Sequence, residues 1–238
     1  MEVKIIHNRQ AAYEFLKEKS RYDYIYQFSD LEERNWGNVI CYGLYDEKEL
    51  KQIAMIAINY GIPVLLVACH EDSAYNIELL TRMKSFLPPH FYTHIDRETL
   101  DSVFKADKII DLQEYMNMGY ENTMQYELKN EALRIGYEQI GDIKELLSES
   151  YPEAWLDDEL VRFNRNFGVY RSGKLVSFAG IHAYSEEYQV AAIAHVTTHP
   201  DYRRQGFGEE VVESLKNDLK EDIRYIGLNV KTDNLNAV

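Results

Sequence analysis

Apolar and polar residues alternate along the chain in patterns that predict a protein with both helices and strands. Residues 39–45, 50–59 and 62–69 are rich in β-branched and aromatic side chains, and short polar or glycine-containing turns separate them, which predicts three consecutive strands. Residues 11–20 and 73–87 carry apolar side chains at three- and four-residue spacing and are predicted to be helices. Shorter predicted elements in this half are strands at 2–6, 91–95 and 108–118 and a helix at 96–106.

A polar stretch without periodicity, residues 119–131, is followed by a second set of elements in a similar order. We therefore expect one domain at 1–120, a linker at 121–131 and a second domain at 132–238. Matching order in the two halves suggests an internal duplication. The predicted elements of the second half are strands at 132–136, 167–171, 174–184, 188–198 and 223–231 and helices at 139–151, 155–164 and from 206 onward.

The composition is typical of a globular protein, and the net charge limits the kinds of partner that the chain is expected to bind. Of its 238 residues 45% are hydrophobic and 28% charged, and the formal charge of −14 argues against nucleic acid or an anionic membrane as partner. Cys41 and Cys69 lie in apolar runs, which favours buried thiols in a reducing compartment over a disulfide or a metal site. Because no long apolar segment or leader pattern occurs, we expect a cytoplasmic protein without a membrane span.

A glycine-containing segment, "HPDYRRQGFGEE" at residues 199–210, joins a predicted strand to a predicted helix. The first N–H groups of a helix have no partner within the helix, and the helix dipole is positive at that end. Gly206 and Gly208 let a ligand approach the backbone closely, and Arg203 and Arg204 add positive charge. The segment is therefore a candidate anion site, although a glycine-containing turn before a helix is also common in structural loops.

This segment resembles the acetyl-CoA loop of the GNAT superfamily of N-acetyltransferases, whose pattern is R/Q-x-x-G-x-G/A after the fourth strand. The matching residues here are 203–208, and the family's later N-x-x-A turn is matched by residues 234–237. The order of elements from Ala132 onward fits the family as well. No G-x-x-x-x-G-K-[ST] segment occurs, which disfavours a nucleotide-binding loop of that type.

The resemblance implies an α/β fold with a mixed sheet, acetyl-CoA as co-substrate and an amine of a small molecule, amino acid or protein as acceptor. It implies that backbone amides hold the CoA pyrophosphate, and that main-chain groups of the splayed fourth strand and a later asparagine contact the pantetheine arm. The cofactor-binding residues expected on this basis are Val196, Thr198, Arg203, Arg204, Gln205, Gly206, Phe207, Gly208 and Asn234.

The first half lacks this loop. Residues 69–76, "CHEDSAYN", stand at the corresponding place, without a glycine and with carboxylates that repel a pyrophosphate. We interpret the first half as a degenerate copy, which gives two tandem GNAT-like domains, similar to glycine N-acyltransferase-like proteins. Such a copy is expected to shape the acceptor pocket or an interface in a homodimer.

The catalytic pattern of the family is incomplete. Ala192 stands where the fourth strand often carries a glutamate base, and the family's closing segment with its tyrosine acid would begin at Ala237. The sequence thus suggests a truncated second copy with its fifth strand at an exposed edge. His195 is a weak candidate base with a pKa near neutrality, although strict alternation places it opposite Ala192 unless a bulge intervenes.

Other candidates are weaker, and two functions stay open. His182 is a poorer base candidate, Trp155 is expected at the acceptor pocket or in the core, and residues 157–159 attract an amine or form a solvated helix start. We expect no metal. The leading hypothesis is an N-acetyltransferase, and the alternative is a non-catalytic acyl-CoA-binding or regulatory protein.

Overall fold

The computed structural model describes residues 1–59, 61–68, 73–120, 129–152, 154, 156, 158–163 and 165–234. The chain divides into two compact units, which are Met1–Glu114 and Tyr115–Val238. Each unit has its own sheet and its own buried apolar clusters. None of the helices in the described ranges is both long and apolar enough to cross a bilayer.

The first unit contains a five-stranded sheet in the order in which its strands follow along the chain. The first four strands pair antiparallel, and the last pair is parallel. The strands are β1 (Glu2–Ile5), β2 (Val39–Asp46), β3 (Glu49–Ala57), β4 (Val64–Val67) and β5 (Tyr92–His94), and the helices are α1 (Arg9–Leu16), α2 (Ile25–Asp30), α3 (Glu33–Trp36), α4 (Ser73–Met83) and α5 (Arg97–Val103).

The core of the first unit follows from the periodicity of α4 and the apolar faces of its strands. Leu79, Leu80 and Met83 of α4 are fully buried against side chains of β2, β3 and β4. The predicted start of α5 is confirmed, because the Asp96 carboxylate accepts the N–H of Thr99 at 2.8 Å. Cys41 is buried in β2, and this burial raises the pKa of its thiol to about 12. Cys69 lies outside the described residues.

The second unit contains a six-stranded sheet with one inserted strand at its edge. Its strands are β6 (Tyr115–Gly119), β7 (Leu133–Ile135), β8 (Asn166–Arg171), β9 (Lys174–Ser185), β10 (Val190–Thr198) and β11 (Tyr225–Lys231), in the sheet order β6-β11-β10-β9-β8-β7. Its helices are α6 (Ile140–Ser150), α7 (Asp158–Phe163) and α8 (Phe207–Leu219).

Strands β7 to β11 have the same order and directions as β1 to β5. Three antiparallel pairs lead to one parallel pair in both sheets, which confirms the predicted mixed α/β fold and repeats the topology of the first unit. The predicted hairpin turn is present as well, since Ser172 and Gly173 have φ angles of 50° and 81° between β8 and β9. Helix α8 packs on this sheet through Val211, Leu215 and Leu219, all fully buried.

The end of the first half differs from the prediction. Residues 108–118 were expected to form its last strand, yet Tyr115–Gly119 forms β6 and pairs antiparallel with β11 of the second sheet. The division therefore falls between Glu114 and Tyr115 rather than at residue 120. The edge of β11 that the sequence predicted to be exposed is paired, because alternation identifies a strand without identifying its partner.

A proline scan of β6 tests this pairing. Tyr120 donates its N–H to Ile226 at 2.8 Å, and ladder bonds recur every second residue, so the N–H of Met118 also faces β11, opposite Leu228. Met118→Pro is expected to lower the free energy of unfolding of the second unit by about 1–3 kcal/mol.

Asn117→Pro is the matched control, because the N–H of Asn117 points away from β11. Hydrogen exchange of the β11 amides should accelerate in Met118→Pro and stay close to wild type in Asn117→Pro. Equal protection in both variants would show that β6 does not stabilise β11.

Candidate functional site

A fork between two parallel strands of the second unit creates an open main-chain edge. β10 and β11 pair from Val190↔Tyr225 to Ile193↔Leu228, and no further pair between them follows in the described residues. β10 continues to Thr198, and beyond Ile193 its only strand partner among the described residues is β9. The edge of residues 194–198 that faces away from β9 is therefore available to a ligand with amide groups. Val196 and Thr198, two of the predicted cofactor residues, lie on this segment.

Two bulges place two histidines beside the start of this fork. Consecutive pairs shift from Ala192↔Ala183 to Ile193↔Ile181, so His182 is an extra residue in β9. The next shift leaves His195 and Val196 of β10 opposite a single residue of β9. His195 has a φ of 56°, which is rare for a residue other than glycine. Strict alternation therefore ends before His195, as the sequence had allowed.

The two histidine rings are in edge-to-face contact in the partly buried bulge region. Their centroids are 6.1 Å apart, with an angle of 78° between the ring planes. Burial lowers the pKa of His195 below its ordinary value, so its imidazole is neutral at pH 7. A neutral imidazole can accept a proton. Ala192, by contrast, is buried within the paired part of β10 and offers no ionisable group.

The segment after β10 forms a short loop with two left-handed residues before α8. A 3-10 turn at Pro200–Tyr202 is followed by Arg204 with φ 60° and Gly206 with φ 87°, and α8 begins directly after Gly206. Within the described part of the chain, the N–H groups of residues 204–208 have no acceptor. Consecutive free N–H groups next to left-handed residues, at a helix N-terminus, are a common arrangement for binding phosphate.

The side chains of this loop mainly hold its shape. Arg203 donates its N–H to Pro200 at 3.3 Å and its Nε to the Thr198 carbonyl at 3.1 Å, so its amide, unlike the next five, is engaged. Phe207 is 6% exposed and belongs to the core. A Cβ at Gly208 would come within 3.2 Å of Thr198 Oγ1, so this glycine permits the close approach of α8 to β10.

The buried carboxylate of Glu210 connects the start of α8 to the chain segment that leads into β7. Glu210 is 1% exposed, and its two carboxylate oxygens accept the backbone N–H groups of Lys129 and Glu131 at 2.9 and 3.0 Å. Lys129 also donates its Nζ to the Gln205 carbonyl at 3.2 Å. We missed this contact in the sequence, although an acidic residue on the apolar face of α8 was a signal for it.

A second contact strengthens the same attachment. The Glu131 carboxylate pairs with the Arg171 guanidinium, which lies 4.5 Å from the centre of the Phe207 ring. The segment that enters β7 is thus bound directly to Gln205 and Glu210 and, through Arg171, to Phe207. The loop is held from β10 on one side and from this segment on the other.

Of the remaining candidates from the sequence, some lie within the described residues and others lie outside them. Asn234 follows β11, is exposed and donates its N–H to Lys231 at 3.0 Å; because β10 and β11 are parallel, it lies at the same end of the sheet as the loop. Asp158 accepts from Lys144 at 2.7 Å, which fits a helix start. The described residues contain no group of three or more side chains arranged to hold a metal. Residues 69–72, Trp155, Asp157, Asn236 and Ala237 lie outside the described residues.

Comparisons with known proteins give a family match for the second unit and similar folds for the chain. Residues 136–238 match the family model described as "Acetyltransferase (GNAT) family". Two similar solved structures span nearly the whole chain: a Drosophila protein (11% identity, TM-score 0.71, 99% of this chain and 91% of that one) and a GNAT-family acetyltransferase from Colwellia psychrerythraea (13%, TM-score 0.55, 100% and 92%). A GCN5-related N-acetyltransferase from Kribbella flavida covers 75% of this chain and 76% of its own (14%, TM-score 0.52). No curated protein matches the chain.

The left-handed conformation at the loop makes a prediction about stability. Gly206→Ala is expected to lower the free energy of unfolding by about 1–2 kcal/mol, because a Cβ is unfavourable at φ 87°. Gly141→Ala is the matched control, since Gly141 lies in α6 with open space around it and should gain about 0.5–1 kcal/mol. Urea denaturation of both variants measures the difference. Equal stability of the two variants would contradict the left-handed conformation at Gly206.

Proposed function

We propose that the chain transfers an acetyl group from acetyl-CoA to an amine of a small molecule, an amino acid or a protein, because residues 136–238 match the GNAT acetyltransferase family model. The observation that carries this proposal is the run of N–H groups at residues 204–208, for which the described residues supply no acceptor, next to the edge of β10 that no described strand covers. A diphosphate fits the first feature, and an extended chain with amide groups fits the second. CoA contains both.

The loop residues fit the phosphate end of the co-substrate. In our proposal the amides of residues 204–208 bind the pyrophosphate, with the dipole of α8 and the charges of Arg203 and Arg204 in support. The pantetheine arm then lies along residues 194–198 and bonds to main-chain groups of Val196 and Thr198. Asn234, at the same end of the sheet, contacts that arm. Acetyl-CoA supplies the reactive thioester, whose acyl carbon comes to lie near the fork.

His195 is the residue of this site that can activate the acceptor. An amine attacks a thioester only in its neutral form, so a proton must leave the ammonium group or the attacking nitrogen. The imidazole of His195 is neutral at pH 7 because burial lowers its pKa. We propose that it accepts this proton, directly or through water. A main-chain N–H on β10 next to the bulge would stabilise the oxyanion that forms on the thioester oxygen.

The first unit supports a second part of the proposal. Its sheet repeats the order and directions of β7 to β11, yet the corresponding loop sequence has no glycine and carries carboxylates. We infer a degenerate copy of the catalytic domain, in a protein of the cytoplasm where acetyl-CoA and reduced thiols occur. The net charge of −14 is compatible with a cationic amine as acceptor.

Ligand-induced stabilisation tests the co-substrate. Acetyl-CoA at about 100 times its Kd should stabilise the native protein by about 2.7 kcal/mol, seen as a rise in Tm. Gly206→Glu should abolish this rise, because its carboxylate repels the pyrophosphate. Gly206→Ala carries the same backbone penalty without the charge and should retain part of the rise. Absence of stabilisation in the wild-type protein would overturn the proposal that it binds CoA.

Catalysis is tested by release of free CoA thiol across a panel of amines. His195→Asn is the informative variant, because asparagine tolerates a left-handed φ but cannot accept a proton near neutral pH. We expect kcat to fall by about 10²–10⁴-fold, with little change in the Kd for CoA. An unchanged kcat would remove His195 from the mechanism.

Ala192 favours a second candidate, a non-catalytic acyl-CoA-binding protein, because it supplies no carboxylate on β10. Stabilisation by acetyl-CoA without thiol release for any amine on the panel would identify that function.

A further inference from the structure

The segment that precedes β7 brings a lysine to the rim of the loop. We propose that Lys129 is a further ligand for the CoA pyrophosphate and that Glu210 is the residue that positions it. This inference rests on the proposed function, because it assigns new residues to the same binding site. Neither residue belongs to the glycine-containing pattern of residues 203–208, and Lys129 is far from it in sequence.

Two hydrogen bonds fix Lys129 relative to the loop. Its main-chain N–H donates to Glu210 Oε2 at 2.9 Å, and its Nζ donates to the Gln205 carbonyl at 3.2 Å. Gln205 belongs to the run of residues whose own N–H groups have no acceptor in the described part of the chain. The ammonium group therefore contacts the main chain of the loop whose N–H groups would bind an anion.

In this position the Lys129 ammonium group still has N–H donors with which it can bind an anion. An ammonium group has three N–H donors, and the contacts described for Lys129 Nζ account for one of them. Lys129 is exposed, so a phosphate oxygen can reach the group from solvent. Of the nearby cations, Arg203 uses its Nε to hold the Thr198 carbonyl, and Arg171 pairs with Glu131. Lys129 thus adds a positive charge that is not neutralised by a described carboxylate contact at its Nζ.

Glu210 has two opposing effects on an anion in the loop. Its charge repels a pyrophosphate, yet it orients Lys129 by accepting two backbone N–H groups of that segment. Those two peptide dipoles offset part of the charge of the buried carboxylate. We infer that orientation is the larger effect, since the carboxylate is buried and Lys129 would otherwise sample many positions.

The Kd of CoA, measured by calorimetry at low ionic strength, tests Lys129. Lys129→Gln should weaken binding by roughly three- to fivefold, and Lys129→Arg should restore most of the affinity. The loss should shrink at high salt, which a purely structural role would not cause. Lys220→Gln, an exposed lysine at the other end of α8, is the matched control and should bind as wild type. Equal affinity of Lys129→Gln and wild type at low salt would overturn the proposal.

Shortened ligands identify the phosphate group. The effect of Lys129→Gln should persist with dephospho-CoA, which keeps the pyrophosphate but lacks the 3′-phosphate, and should disappear with pantetheine. If it disappears already with dephospho-CoA, Lys129 contacts the 3′-phosphate and the proposal is wrong. If the wild-type protein fails to bind CoA, it is the proposed function that fails.

A double-mutant cycle tests the role of Glu210. Glu210→Gln should weaken CoA binding in the wild-type background and have a much smaller effect in the Lys129→Gln background. Tighter binding by Glu210→Gln would show that the repulsion outweighs the orientation, which would contradict a positioning role. Circular dichroism and urea denaturation confirm that each variant is folded.

Discussion

The separation of β10 from β11 after the pair Ile193↔Leu228 is the constraint on which the rest of the second unit depends. Two parallel strands pair over only four residues and then leave main-chain groups of β10 without a strand partner on that side. Unpaired main-chain groups are unfavourable unless water or a ligand satisfies them, and an open edge can pair with another chain. β6 pairs along the other edge of β11, so that edge is not exposed. Within the described residues, β10 has no strand partner beyond Ile193 on the side that faces away from β9, and this is the edge on which we propose that the pantetheine arm binds.

The loop after β10, where we propose that an anion binds, has a buried carboxylate next to it. Glu210 lies in the first turn of α8, where negative charge interacts favourably with the helix dipole. Each of its two oxygens accepts a main-chain N–H group of the segment before β7, and these hydrogen bonds hold that segment in place. The five N–H groups at residues 204–208 have no acceptor in the described part of the chain, and we propose that they bind the pyrophosphate. On this proposal the same turn both anchors the fold and binds the ligand.

The features of this unit that depend on local conformational preferences could be predicted from the sequence. The periodicity of α8, the hairpin turn at Ser172-Gly173 and the glycine at the start of the helix each follow from the conformations their residues allow. Features that depend on strand register or on contacts between residues far apart in the sequence could not be predicted in this way. β6 reads as a strand of the first half, and nothing in its alternation points to β11. The hydrogen bonds of Glu210 join residues about eighty positions apart, so an acidic residue on the apolar face of α8 indicates a buried contact without identifying its partners.

His195 shows why register matters for chemistry as well. Alternation alone places its side chain opposite Ala192, whereas a bulge at residues 195–196 changes the register and brings its ring against His182. Burial there lowers the pKa of the imidazole, so the native state favours the neutral form more than the unfolded chain does. The stability that this group contributes is therefore present above its unfolded pKa and lost as the pH falls toward the folded value. Protonation of His195 also prevents it from acting as a base. Low pH would therefore weaken both the fold and the proposed chemistry by protonating the same imidazole.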